Sequence, residues 1–193
     1  AELSQVSAAA SMLREAEFPV IHAGSGIVHS GAASELAAVA EALAAPITCS
    51  WGARGVLDES SPLAIPNSTL AAAKSARSRS DLFLVLGSRL GETDWWGRGH
   101  HWGGSEPAIP KRCIQVDIDG EILGRNRPAD LAVVADVKVF LTALLTELQG
   151  TPPADVVLEG RKQKVGALVV EKAAIRAELD APLAGMDTPM HPA

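Results

Sequence analysis

Residues 81–90 read DLFLVLGSRL, and positions 82–86 of this stretch carry five consecutive apolar side chains. A strand that is apolar at every position, instead of at alternate positions, is buried on both faces. Helices must then cover both faces of the sheet to which this strand belongs, and sheets covered in this way are parallel. The stretch therefore predicts an α/β fold.

The first fifty residues predict a helix followed by a β-α-β unit. Apolar residues recur at helical spacing over 3–17, and FPVIHAGSG then reads as a short strand that ends in a glycine turn. Ser34 is a candidate N-cap of the next helix, SELAAVAEALAA. The second strand is ITCS at 47–50.

The same alternation continues downstream. A sixth strand is expected near 63–65, followed by an Ala-rich helix over 68–80. Further strands are expected over CIQVDID and LAVVAD, with a short helix from Glu121 between them and a last helix over 137–148. This pattern predicts a doubly wound, mainly parallel sheet of five or six strands with helices on both faces, which is a Rossmann-like α/β domain. Such domains bind ligands at the carboxyl ends of their strands.

Composition and charge exclude several classes of protein. The chain has 193 residues, of which 47% are hydrophobic, and a formal net charge of −6. Nucleic-acid and anionic-membrane partners are disfavoured because they require a basic surface. No apolar run approaches the ~20 residues that span a bilayer. Cys49 and Cys113 fit no disulfide framework or zinc motif, so we expect buried thiols and a cytoplasmic protein.

Two units are expected along the chain. Residues 1–150 form the α/β domain, and residues 151–193 form a linker helix, from about Asp155 to Leu179, with a tail that leads towards a missing domain. The Pro-rich stretch QGTPPAD separates the two units.

The glycine turn after the first strand has two interpretations. Gly24, Ser25 and Gly26 match the start of the G-x-G-x-x-G dinucleotide fingerprint, but His29 stands at the third glycine position. Ser50 also stands where the second strand of a dinucleotide site ends in an acid, so a standard NAD-dependent dehydrogenase is not predicted. The turn is either purely structural or a contact to a phosphate or nucleotide.

Four segments, in this order, carry a resemblance to a known family: FPVIHAGSGIVHSGAASELAAVAEALAAPITCSWGARGVLDESSPLAI, SDLFLVLGSRLGE, CIQVDIDGEILGRN and ADLAVVADVKVFLTALL. Together they cover roughly residues 5–148 and resemble the central domain of thiamine diphosphate-dependent enzymes, the acetolactate synthase, decarboxylase and carboligase group. The resemblance implies a domain of the DHS-like NAD/FAD-binding type. It also implies a parent enzyme that uses thiamine diphosphate and Mg²⁺ and acts on C–C bonds next to a carbonyl group in 2-oxo acid-type substrates.

In that family the thiamine cofactor lies between the two domains that flank the central one. In agreement, the sequence holds no G-D-G motif followed by paired Asn, and no catalytic or metal-binding residue is expected in it. We therefore expect a middle portion of a longer enzyme, inactive by itself. Its partners would be the missing N- and C-terminal domains of the same chain, in a homodimer or homotetramer.

The resemblance also implies a nucleotide site, because some members carry FAD or an ADP-containing ligand in this domain. The residues that match its pattern are Gly24, Ser25 and Gly26 in the first turn, Arg89 after the strand at 82–86, and the strand-end acids Asp117 and Asp136. Backbone N–H groups at a helix start can hold phosphate. The family's second glycine-rich loop is replaced by AIPNSTLAAAKS, whose lack of glycine argues against flavin.

Each charged member of this set has a structural alternative. Asp117 and Asp119 are candidate caps of the short helix that follows them, and Asp136 is a candidate cap of the helix over 137–148. Arg89 has Glu92 as a candidate ion-pair partner. A nucleotide site requires instead that these side chains converge.

The loop GETDWWGRGHHWGGSEPAIP holds three of the four Trp residues. We expect Trp95, Trp96 and Trp102 to pack against another domain or subunit. The alternatives are a gate over the substrate channel, a ring-stacking site for a nucleotide, and a local mini-core. The adjacent His pair in this loop lacks metal-ligand spacing, and His22, at a strand end, is expected to be a satisfied core residue.

A free-standing nucleotide-binding module, with no catalytic partner domains, is the alternative function, because a fold alone does not identify function. An NAD-linked deacylase-like use of a related fold is poorly supported, since no His with flanking Asn and Asp lies in a suitable loop. Thiamine-site motifs in flanking sequence would distinguish the enzyme from the module.

Overall fold

The computed structural model describes residues 2–66, 69–94, 102 and 111–181. The strands are β1 (Pro19–Ala23), β2 (Ile47–Cys49), β3 (Ala64–Ile65), β4 (Leu82–Leu86), β5 (Arg112–Asp117) and β6 (Leu131–Val134). The helices are α1 (Leu3–Glu15), α2 (Gly26–Ser30), α3 (Ala33–Leu43), α4 (Leu70–Arg79), α5 (Val137–Gly150) and α6 (Asp155–Asp180). The predicted α/β fold is confirmed, and β3 is the expected sixth strand.

The six strands form one parallel sheet in the order β3-β2-β1-β4-β5-β6. The chain first builds outwards from β1 to β3, and then returns to place β4 on the other side of β1. The direction of winding therefore reverses between β1 and β4. In doubly wound sheets, a crevice for ligands opens at the carboxyl ends of the strands at such a reversal.

Helices cover both faces of the sheet, as the apolar run in β4 requires. Leu82, Leu84 and Leu86 are buried in the core beneath α1, α3 and α5. Phe83 and Val85 are buried in the second core, which includes residues of α4 and α6. Because successive side chains of a strand point to opposite faces, both sets must be apolar.

Helix α6 packs on the α/β unit through a buried cation. Arg161 is 0% exposed. Its guanidinium donates to the carbonyl oxygens of Leu13, Ala16 and Leu43, at 2.7, 2.5 and 2.9 Å, at the carboxyl ends of α1 and α3. Lys172 donates to three further carbonyl oxygens, two in the segment before β3 and one at its first residue, Ala64. The expected linker helix is thus joined to the core, while a domain boundary near residue 150 stays a prediction.

The predicted short helix from Glu121 is wrong. Residues 120–125 form successive turns instead. The carboxylate of Asp119 accepts the N–H of Glu121 at 2.9 Å, and Gly124 has a positive φ of 73°. Side-chain bonds of this kind compete with helix formation, and a left-handed residue ends a helical turn.

The predicted N-cap at Ser34 is also wrong. Helix α3 begins at Ala33, its N-cap is Ala32, and the Ser34 hydroxyl donates to the side chain of Glu35 at 2.9 Å. The preceding Gly31, with a φ of 62°, ends α2 and leads directly into α3, so Ser34 already lies inside the helix.

Some predictions fall on residues outside the described ranges, namely those for Trp95, Trp96, the His pair and the tail from residue 182. Within the described ranges, Cys49 and Cys113 are both buried and form no disulfide. None of the described helices is both long enough and apolar enough to cross a lipid bilayer.

Candidate functional site

A cleft of about 660 Å³ opens at the carboxyl ends of the strands, around the reversal between β1 and β4. Five of the six residues predicted for a nucleotide site line it: Ser25, Gly26, Arg89, Asp117 and Asp136. Gly24 is not among its lining residues. These residues therefore converge on one cleft, as a nucleotide site requires. That the cleft binds a nucleotide stays a prediction.

The glycines of the first turn allow two loops to approach each other closely. The N–H groups of Gly24 and Gly26 donate to the carbonyl oxygens of Leu86 and Gly87, at 2.8 and 3.1 Å. A Cβ atom at Gly24 would lie 2.1 Å from the Gly87 oxygen. These glycines therefore have a structural role, and a phosphate contact at this turn would come from Ser25, which lines the cleft.

The two strand-end acids are held by backbone N–H groups. Asp136 is the N-cap of α5, where its Oδ1 accepts the N–H of Val139 at 3.0 Å, so its predicted capping role is confirmed. Oδ1 of Asp117 accepts the N–H of Asp119 at 3.1 Å, in a turn and not at a helix start. A carboxylate can accept several hydrogen bonds, so each acid keeps capacity for a ligand.

Arg89 lies exposed at the cleft on a constrained turn. No ion pair connects it to Glu92 or to any other carboxylate in the described part of the chain. The next residue, Leu90, has a positive φ of 51°, which a β-carbon disfavours. The side-chain amide of Asn126 donates to the carbonyl oxygens of Arg89 and Leu90, at 2.8 and 3.0 Å, and holds the turn in place.

A buried polar cluster forms the floor of the cleft. The Ser88 hydroxyl donates to Oδ2 of Asp94 at 2.9 Å, and Nε2 of His22 lies 3.5 Å from the same oxygen. Nδ1 of His22 lies 3.1 Å from the hydroxyl of Thr48. His22 is 1% exposed, as expected for a core residue. The cluster joins β1, β2 and the loop after β4.

Charges on neighbouring residues keep the Asp94 carboxylate ionised. Burial raises the pKa of Asp94, but the neighbouring His22 ring, the hydrogen bond from Ser88 and the positive charge of Arg77 outweigh it, so the pKa lies below its ordinary value. Burial lowers the pKa of Arg77 to about 10, which still leaves a cation at neutral pH. The floor of the cleft therefore carries a compensated negative charge.

Trp102 is part of this same cluster. It is 4% exposed, its ring meets those of His22 and Phe83 edge-on, and the guanidinium of Arg77 lies 4.8 Å from its ring centroid. Its indole N–H donates to the carbonyl oxygen of Asp94 at 2.8 Å. The predicted interface role is wrong for Trp102, which belongs to a local core because a partly polar indole can satisfy its N–H there.

Sequence reasoning missed four residues that shape the cleft: Ser88, Asp94, Gln115 and Asn126. Gln115 is 2% exposed, donates to the Ser88 carbonyl oxygen at 3.1 Å and accepts the N–H of Gly124 at 2.9 Å. Gln115 is the one polar residue among the apolar positions 113–116, and this was a visible signal, because buried polar side chains are hydrogen-bonded. Asp94 gave no such signal: it lies in a single 3₁₀ turn, Glu92–Asp94, in a stretch whose sequence shows neither strand nor helix periodicity.

Two other features of the described ranges bear on function. No group of three or more His, Cys, Asp or Glu residues in these ranges is arranged to hold a metal ion. A second groove, of about 610 Å³, lies between the end of α1 and α6, and it is lined by residues such as Glu17, Arg79, Val156 and Lys164. That groove lies at the amino ends of the strands, opposite the cleft.

Comparison with known families decides the classification. The family described as the thiamine pyrophosphate enzyme central domain matches residues 6–144, which is most of the chain. The chain belongs to this family. The resemblance in the sequence is confirmed, and the matched region of this central domain runs from α1 through β6 into α5.

The central domain is similar to parts of several curated enzymes. It is 33% identical over 150 residues to acetolactate synthase of Mycobacterium bovis, covering 75% of this chain and 23% of that protein. It is 30% identical over 168 residues to sulfoacetaldehyde acetyltransferase of Roseovarius nubinhibens, covering 81% and 26%. It is 31% identical over 144 residues to oxalyl-CoA decarboxylase of Escherichia coli, covering 75% and 24%. The aligned region of the chain thus spans about a quarter of each of these relatives.

Proposed function

We propose that this central domain works within a longer thiamine diphosphate-dependent enzyme that makes or breaks a C–C bond next to a carbonyl group in 2-oxo acid-type substrates. The observation that carries the proposal is the family match over residues 6–144. The relatives support it, because each is about four times as long as the region that it shares with this chain.

The chemistry is proposed to belong to the flanking domains. Thiamine diphosphate, when bound, supplies an electron sink for the carbanion that C–C cleavage leaves behind. The residues of this chain do not fit its diphosphate and metal, because the sequence has no G-D-G motif followed by paired Asn. The role proposed for this chain is to connect and position the two catalytic domains, and no step of the reaction is assigned to its residues.

The test of this proposal is an assay of a polypeptide that contains this chain and both flanking regions. Pyruvate and a panel of other 2-oxo acids are supplied with and without thiamine diphosphate and Mg²⁺, and CO₂ release and ketol products are measured. We expect turnover only with the cofactor and metal. Turnover that is unchanged after both are removed, or none with any substrate in their presence, would contradict the proposal.

The cleft is proposed to bind an adenine nucleotide, with ADP the preferred candidate over FAD. Arg89 would contact the phosphates, and Asp117 and Asp136 would accept hydrogen bonds from hydroxyl or amino groups. Support comes from the position of these residues, which line one cleft at the reversal between β1 and β4. The missing glycines of the second loop argue against flavin.

Calorimetric titration with ADP and FAD tests this site. We expect saturable ADP binding that weakens about tenfold in Arg89→Gln and in Asp117→Asn, since each removes a charged hydrogen-bonding group. Arg125→Gln and Glu121→Gln are matched controls, because both residues are exposed and neither lines the cleft. Equal affinity for ADP in all four variants would mean that the nucleotide binds elsewhere on the protein.

A further inference from the structure

We propose that Asp94 is a ligand-binding residue at the floor of the cleft, where it accepts a hydrogen bond from a hydroxyl or amino group at the nucleoside end of the nucleotide. This inference rests on the proposed nucleotide site and extends it. The residues that match the family pattern do not include Asp94.

The two oxygens of the Asp94 carboxylate have different surroundings. Oδ2 accepts from the Ser88 hydroxyl and faces His22. Oδ1 is buried and has no hydrogen-bond partner in the described part of the chain. Asp94 as a whole is 7% exposed and lines the cleft. One half of this carboxylate is therefore fixed by the protein, and the other half is left without a donor.

An unpaired oxygen on a buried, ionised carboxylate is unfavourable. Buried polar atoms are nearly always hydrogen-bonded, and an exception calls for an explanation such as a missing ligand. Asp94 is held firmly in this position, because the Trp102 indole N–H fixes its backbone carbonyl oxygen at 2.8 Å. The rigid placement and the free acceptor together describe a preorganised site for one hydrogen-bond donor.

The charge of Asp94 decides which end of a nucleotide it can contact. A carboxylate attracts hydroxyl and amino groups and repels phosphate oxygens. Arg89, the exposed cation that lines the same cleft, has the opposite preference. The nucleoside end of the ligand is thus assigned to Asp94 and the phosphate end to Arg89.

Asp94→Asn tests the assignment with ADP, adenosine and inorganic diphosphate as probes. In this variant the side-chain amide oxygen accepts the hydrogen bond from Ser88, so the amide NH₂ group takes the place of Oδ1. An N–H donor then faces the donor group of the ligand, and the hydrogen bond between them is lost. We expect ADP and adenosine to bind about tenfold to a hundredfold more weakly and diphosphate to bind unchanged. Arg89→Gln should show the reverse pattern, weakening ADP and diphosphate but not adenosine.

Probes that lack single donors test the same point on the unmodified protein, in case Asp94→Asn does not fold. Purine riboside, 2′-deoxyadenosine and 3′-deoxyadenosine each lack one donor of adenosine. One of them should bind about tenfold more weakly than adenosine, both to the unmodified protein and to the double variant Asp117→Asn/Asp136→Asn, in which Asp94 is the remaining carboxylate of the three that line the cleft. If ADP binds and neither Asp94→Asn nor any of these analogues weakens binding, the role of Asp94 is overturned while the nucleotide site stands. If the unmodified protein binds neither ADP nor adenosine, the proposed site and this inference fail together.

Discussion

At the scale of single residues, the cleft depends on contacts that leave no room for a side chain. Gly24 and Gly26 bring the loop after β1 against the loop after β4, and Cβ atoms there would lie 2.1 and 2.6 Å from atoms of Gly87. Both neighbours are backbone atoms and cannot rotate away. Backbone segments in fixed positions thus line the cleft, and these segments carry Ser25 and Arg89.

Gly24→Ala is expected to destabilise the protein by about 3 kcal/mol, because relief of the clash requires the two loops to move apart. Gly166→Ala is the matched control: Gly166 lies in α6 with nothing within 4 Å of a Cβ, and there alanine is expected to stabilise by about 0.5–1 kcal/mol. Urea unfolding monitored by circular dichroism measures both. Equal effects of the two substitutions would show that the loops are not tightly packed.

Protonation of Asp94 is expected to lower the stability of the folded protein at acid pH. Its folded-state pKa is below the ordinary value of about 4, so its contribution is complete above that value and is lost as the pH falls through the folded-state pKa. The unfolding free energies of the protein and of Asp94→Asn are compared at pH 6 and pH 3. We expect the difference between the two unfolding free energies to be smaller at pH 3 than at pH 6. An equal difference at both pH values would mean that folding does not stabilise the ionised form of this carboxylate.

At the scale of elements, α6 is attached through cations and backbone carbonyl groups as well as through apolar contacts. The sequence predicts the helix itself, because residues 155–179 are rich in charged and apolar residues and contain no proline. It did not predict that Arg161 is buried. Arginine is usually exposed, and its partners are the carboxyl ends of α1 and α3, which only the folded chain brings together.

Arg161→Met is expected to cost about 3–5 kcal/mol, since several buried carbonyl oxygens lose a charged donor at once. Arg176→Met, which removes an exposed Arg from the same helix, should leave the unfolding midpoint unchanged. Limited proteolysis provides a second readout, in which cleavage within α6 should be faster only in Arg161→Met. Equal cleavage rates in both variants would mean that this arginine does not hold the helix.

At the scale of the whole molecule, local patterns predicted most of the architecture. Continuous apolar runs identified buried parallel strands, and alternation with helices then led to a doubly wound sheet and to a ligand cleft at its carboxyl edge. The polar floor could not be obtained in this way. His22 lies far from Arg77, Asp94 and Trp102 in the sequence and meets them only because β1 and β4 are neighbours in the sheet.

The cleft at the carboxyl edge is the central claim of this account, and amide chemical-shift mapping by NMR during titration with ADP tests it most directly. We expect the shifts to be confined to residues around the cleft, such as Ser25, Ser88, Arg89 and Ile118. Shifts confined to the groove between α1 and α6, around Glu17 and Lys164, or no shifts at millimolar ADP, would contradict the claim that this cleft is a nucleotide site.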